Sequence, residues 1–128
     1  MTGWDPAALD LVGLLPRTAR GPRREGIYAL WLVVRVAQDL LLLDPPIPER
    51  AFQRRLAALE SRLSSLTIPP PLRRALAAAL LTLKDAQPDQ VPAVLSTLVA
   101  PARDGAGPEA ADAVNRAARA ARERWLGR

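Results

Sequence analysis

The stretch GIYALWLVVRVAQDLLLLDPP, residues 26–46, is hydrophobic almost throughout, yet Arg35, Gln38 and Asp39 interrupt it. Such a run is a membrane span, the buried spine of a domain, or a surface kept for a partner. A span takes about 20 apolar residues, and Ile27 to Leu43 offers 17 with two charges near the middle. Each charge costs about 2.5–3.5 kcal/mol on the insertion scale, close to cancelling the apolar residues' return of about 0.3–0.6 kcal/mol apiece. The basic stretch in front of the run resembles a positive-inside flank, so a small membrane-associated subunit held through residues 27–43 is one alternative. The segments around the run weigh against it. They are amphipathic, each needs something apolar to lie on, and a helix apolar over most of its girth supplies that.

We therefore expect an all-α fold: a single compact bundle of five or six helices around a central hydrophobic helix at about residues 26–43. At 128 residues the chain has the size of one domain, 1–128. Leu and Ala dominate while aromatic and β-branched residues are sparse, which favours helix because these side chains lose little rotamer freedom there. Prolines divide the rest, since Pro is tolerated in a helix's first turn and disrupts its interior. In DPAALDLVGLL (5–15) Asp5 is the expected N-cap and Trp4 a staple against Leu9. PRTARGPRR (16–24) has four arginines and a Gly-Pro pair and is expected to be an exposed basic loop. The third segment carries Phe52, Leu56, Leu59, Leu63 and Leu66 as a one-sided seam, and the fourth has Leu72, Leu76, Leu80 and Leu83 on one side. QPDQVPAVLSTLVA (87–100) gives a fifth helix with Asp89 as N-cap, PARDGAGP (101–108) a flexible connector, and the remainder an alanine-faced helix.

Composition narrows the chemistry. The chain has no cysteine and no histidine, so it has no thiolate nucleophile, imidazole base or Cys/His zinc site. Its 13 carboxylates form no recognisable catalytic pair, and it carries no Gly-rich phosphate loop and no Gly-x-Ser-x-Gly elbow. We expect no enzyme, no cofactor and no metal. The opening MTGWDPAALD lacks the pattern of a signal peptide, which points to the cytoplasm.

Two sets of residues suit recognition. Arg24, Tyr28, Trp31, Arg35, Gln38 and Asp39 recur at helical spacing and form one stripe on the central helix. Trp, Tyr and Arg dominate binding hot spots, so Tyr28, Trp31, Arg35 and Asp39 are the candidate partner-binding residues. The competing readings are that the aromatics fill the core, and that Asp39 pairs with Arg35 or with an arginine on a neighbouring helix. The second set is basic. The formal charge is +5 and 17 of the 18 basic residues are arginine, a bias that GC-rich coding also produces. Arg17, Arg20, Arg23 and Arg24, with Arg116, Arg119 and Arg122, are the candidate phosphate contacts of a nucleic-acid-binding alternative, although no helix-turn-helix pattern accompanies them. The expected function is a non-catalytic helical interaction or scaffold protein that self-associates, with a homodimer and a protein partner as its assemblies. Alanine faces on the fourth and last helices are the expected seams for a second copy.

Overall fold

The computed structural model describes residues 6–42 and 47–126. The order is α1 (Pro6–Leu14), a 3-10 turn (Leu15–Arg17), α2 (Pro22–Leu42), α3 (Glu49–Ser64), α4 (Pro70–Leu83), a second 3-10 turn (Pro88–Gln90), α5 (Val91–Ser96), α6 (Val99–Ala106) and α7 (Pro108–Leu126). Among the described residues there is no strand. The chain is an all-α bundle, and α2 is its centre. Ile27, Ala29, Leu30, Val33, Val34, Ala37 and Leu41 of α2 are buried, and α2 packs against each of the other six helices. None of the helices among the described residues is long and apolar enough to cross a membrane, α2 included.

The surrounding helices bury the seams expected of them. Phe52, Leu56, Leu59 and Leu63 turn inward on α3, and Leu72, Leu76, Leu80 and Leu83 on α4. In α7, Ala110, Ala111, Ala113, Val114, Ala117, Ala118 and Ala121 are buried, and α7 packs against α1, α5 and α6. Small side chains bring helix axes close together, so this alanine face is consumed within the chain rather than left as a seam for a second copy.

Several expected boundaries shift for identifiable reasons. The basic loop is shorter than 16–24: a 3-10 turn takes in Leu15–Arg17, and Pro22 opens α2 instead of breaking it. The N–H of Glu25 bonds the carbonyl of Gly21 (3.1 Å), so Arg23 and Arg24 sit in the first helical turn. Asp89 does not cap the fifth helix. It lies inside the 3-10 turn, and Gln90 Oε1 accepts from the backbone N–H of Gln87 (2.7 Å). That helix is broken after Ser96, where the Thr97 hydroxyl donates to the Val94 carbonyl (2.6 Å) and competes with the helical ladder. The stretch 101–108 is no flexible connector, because α6 runs through Ala106 with Pro101 in its first turn. The Asp5 cap, the Trp4 staple and residues 43–46, with which the expected central helix ends and the stretch DPP follows it, lie outside the described residues.

Gly105 explains why α6 forms despite its glycine. A Cβ there would stand 3.0 Å from Leu72 Cβ, and one on Gly26 of α2 would stand 3.0 Å from Leu72 Cδ2. The two missing methyl groups let α2, α4 and α6 converge on the fully buried Leu72. Gly107 then ends α6 at φ +101°, and Pro108 starts α7 directly.

Two glycine substitutions should consequently act in opposite directions. Gly105→Ala gains up to about 1 kcal/mol of helix propensity, but it presses on a Leu72 Cβ that is anchored to its backbone, an overpacking cost of about 1–3 kcal/mol. Urea unfolding should show a net loss. Gly13→Ala on α1, where a Cβ meets nothing within 4 Å, should stabilise by about 0.5–1 kcal/mol. Equal effects at the two positions would contradict the three-helix junction.

Candidate functional site

The stripe on α2 is assembled as its spacing predicts, and α3 covers much of it. Tyr28, Trp31 and Arg35 are half-buried, as is Arg24, whereas Gln38 and Asp39 are buried. Two polar contacts hold α3 antiparallel along the stripe. At one end Arg55 Nη1 donates to Asp39 Oδ2 (2.5 Å), with the Asp39 side chain only 9% exposed and that of Arg55 48%. At the other, Arg62 Nη2 donates to the Tyr28 hydroxyl (2.6 Å) and its guanidinium lies 5.5 Å from the ring centre. Just beyond α3, the backbone N–H of Thr67 donates to Glu25 Oε2 (2.8 Å).

Between these contacts Tyr28 and Trp31 stack at 5.9 Å, tilted by 30°, and the Arg35 guanidinium lies 5.6 Å from the Trp31 ring centre. The partner of Asp39 is thus the neighbouring helix's Arg55. Tyr28 belongs to an interface between two helices of one chain, and Trp31 beside it is half-buried against the core. Trp31 Nε1 and Gln38 Oε1 are buried there without a hydrogen-bond partner among the described residues.

Of the α7 arginines, Arg116 comes beside the loop set. Arg17, Arg20 and Arg23 line a pocket of about 420 Å³ together with Thr18, Ile27 and Glu109. Arg17 and Arg116 line an adjoining one with Asp10, Glu109 and Asp112. Most of these side chains have work within the fold. Arg17 pairs with Glu109 (3.1 Å), Arg116 with Asp10 (3.1 Å), and Arg23 Nε donates to the Ala106 carbonyl at the end of α6 (3.2 Å). Arg119 and Arg122 are exposed further along α7, and Arg24 flanks a shallow pocket beside Tyr28.

A third surface was not foreseen from the sequence. Leu63 and Ser64 of α3, Ile68, and Leu76, Ala77 and Leu80 of α4 line an apolar groove of about 320 Å³, edged by Glu60 and Arg73. Arg73 fastens its end by donating to the Leu63 and Leu66 carbonyls, and Lys84 pairs with Glu60 across it (3.2 Å). Next to the groove, on the outer side of α4, Leu81 is 66% exposed, with Ala77 and Ala78 exposed beside it. The signal was present in the sequence: Leu81 falls off the 72, 76, 80, 83 seam, so a helix that buries that seam must present Leu81 outward. No group of three or more His, Cys, Asp or Glu side chains that could hold a metal ion occurs among the described residues. No protein-family model, curated protein or solved structure matches this chain.

If α3 is held as described, Arg55→Ala leaves the Asp39 carboxylate buried without its partner, a loss of about 1–3 kcal/mol in denaturant unfolding. Replacing both Asp39 and Arg55 by leucine should cost less than Arg55→Ala alone, since an apolar pair leaves no stranded charge. A silent Arg55→Ala would show that Asp39 does not need α3.

Proposed function

We propose that the chain is a cytoplasmic, non-catalytic helical interaction protein that self-associates. The observation that carries this reading is the outer face of α4. Single exposed hydrophobic residues are ordinary on any protein. Leu9, 54% exposed, is of that kind: it borders the charged pocket formed by Asp10, Asp112 and Arg116. Leu81 differs because its apolar surroundings continue through Ala77 into the α3–α4 groove. Contiguous apolar surface of this kind marks contact sites more often than scattered residues do. The absence of histidine and cysteine supports the non-catalytic part by removing the commonest acid–base and nucleophilic groups. The partner-binding role expected of Tyr28, Trp31, Arg35 and Asp39 is narrower on this reading. Tyr28 and Asp39 are engaged by α3 first, and a second protein reaches only the exposed portions of Tyr28, Trp31 and Arg35.

Nucleic-acid binding is the second reading, favoured by one observation: the loop arginines and Arg116 share adjoining pockets. Against it, Asp10, Glu109 and Asp112 stand among them, and two of the arginines are already paired with carboxylates. If Arg17, Arg20, Arg23, Arg24, Arg116, Arg119 and Arg122 neutralise phosphates, the log–log slope of affinity against salt should approach about 0.9 per contact on duplex DNA. No binding at low salt, or a flat dependence, would reject that reading.

For self-association, sedimentation equilibrium should give a dimer or larger species at micromolar concentration. Leu81→Arg should weaken it by about 2 kcal/mol or more while leaving the melting temperature within a few degrees, because Leu81 contributes to contact and not to the chain's own core. A wild-type chain that stays monomeric throughout would overturn the reading.

A further inference from the structure

The outer side of α4 carries four residues in a self-complementary order. Arg74, Ala78, Leu81 and Asp85 follow at spacings of four, three and four, so they lie in one line along the helix, directly opposite the buried Leu72, Leu76, Ala79 and Leu83. The line extends past the last helical residue because Lys84 keeps helical backbone angles (φ −55°, ψ −38°) and donates its N–H to the Leu80 carbonyl (3.2 Å). All four residues are exposed. Read from its start, the line is a cation, a small side chain, a large apolar side chain and an anion.

We propose that this line is the contact through which two copies of the chain pair, with their α4 helices antiparallel about a two-fold axis. The inference rests on the self-association put forward above and names its surface and register. In an antiparallel pair, facing residues have numbers with a constant sum. The register that sets Arg74 of one copy against Asp85 of the other also sets Ala78 against Leu81. Both matches then occur twice by symmetry, as an isologous interface requires. Each leucine lies over an alanine that leaves room for it, and each guanidinium meets a carboxylate at the rim, where charge pairs set register and orientation. A parallel pair would place Arg74 on Arg74 and Asp85 on Asp85.

The charges of this line are uncommitted within the chain. The neighbouring cations are used to hold α3: Arg73 on the Leu63 and Leu66 carbonyls and Lys84 on Glu60. Among the described residues Arg74 and Asp85 take part in no ion pair. Ala77 forms the edge shared by the line and the α3–α4 groove, so a docked copy also closes part of that apolar surface. One helix pair with a flanking groove lies at the small end of specific interfaces, below about 1,200 Å² in total, where complexes are weak and reversible.

Charge reversal tests the register with the full chain. Arg74→Asp and Asp85→Arg should each weaken self-association about tenfold in sedimentation velocity across a micromolar dilution series, because each places like charges together twice. Mixed in equal amounts, the two variants should associate with each other as tightly as the wild type, and the double variant Arg74→Asp/Asp85→Arg should recover association with itself. Arg54→Asp, on the exposed outer side of α3, should change nothing. Circular dichroism melts check that each variant is folded, which substitutions at exposed positions should preserve. If the wild type associates but the single variants match it, or neither the mixture nor the double variant recovers, the antiparallel α4 register is wrong and self-association uses another surface. If the wild type remains monomeric, self-association itself is wrong and the register falls with it.

Discussion

An α2 of 21 residues with apolar side chains over most of its circumference has to be enclosed, and the other six helices are arranged to enclose it. Fully burying a Leu, Ile or Val side chain is worth about 1.5–3 kcal/mol, and α2 contributes Ile27, Leu30, Val33, Val34 and Leu41 to the core. α3, α4 and α7 each have one buried face, a leucine seam on α3 and α4 and an alanine face on α7, so each has to lie against apolar surface that another helix supplies. The glycines at 26 and 105 follow from the same constraint. They are the places where enclosure demands that backbones come closer than a methyl group allows.

The one interruption in the girth of α2 is polar, and α3 covers it in kind. Arg55 on Asp39 and Arg62 on Tyr28 give α3 two polar anchors in addition to its leucine seam. Such anchors specify position more than they add stability, since an ion pair with one exposed partner is worth about 1 kcal/mol or less after screening. With Tyr28 and Asp39 engaged by α3, the α7 alanines consumed and the loop arginines interleaved with carboxylates, the outer side of α4 stands out among the described residues as exposed apolar surface next to charges that take part in no ion pair.

Much of this was legible in the sequence, because the strongest signals were local. Pro6 marked the start of α1 and leucine spacing showed the buried sides of α3 and α4, whereas Pro22, which follows a glycine and reads as a break, opens α2. What stayed hidden depended on distant residues. Gly105 reads as a helix breaker until Leu72, far away in the chain, shows why a residue without a Cβ is needed there. Arg55 was one of many arginines able to reach Asp39, and only the antiparallel docking of α3 selects it. The α7 alanines pointed to close helix packing, but spacing alone does not say whether the close neighbour is α1, α5 and α6 of the same chain or a second copy. Leu81 was legible by elimination, as the leucine off its helix's seam.

The central claim is that α2 is the enclosed spine and the outer side of α4 is where another copy attaches. Backbone hydrogen exchange followed as a function of protein concentration tests both parts at once, because amides opened only by global unfolding exchange most slowly and a contact slows the amides of the helix it covers. The account predicts that the amides from Leu30 to Ala37 are the slowest at every concentration, and that raising the concentration slows exchange in α4 before it affects α7. Exchange in α2 as fast as in α3, or a concentration-dependent slowing that falls on α7 and spares α4, would contradict it.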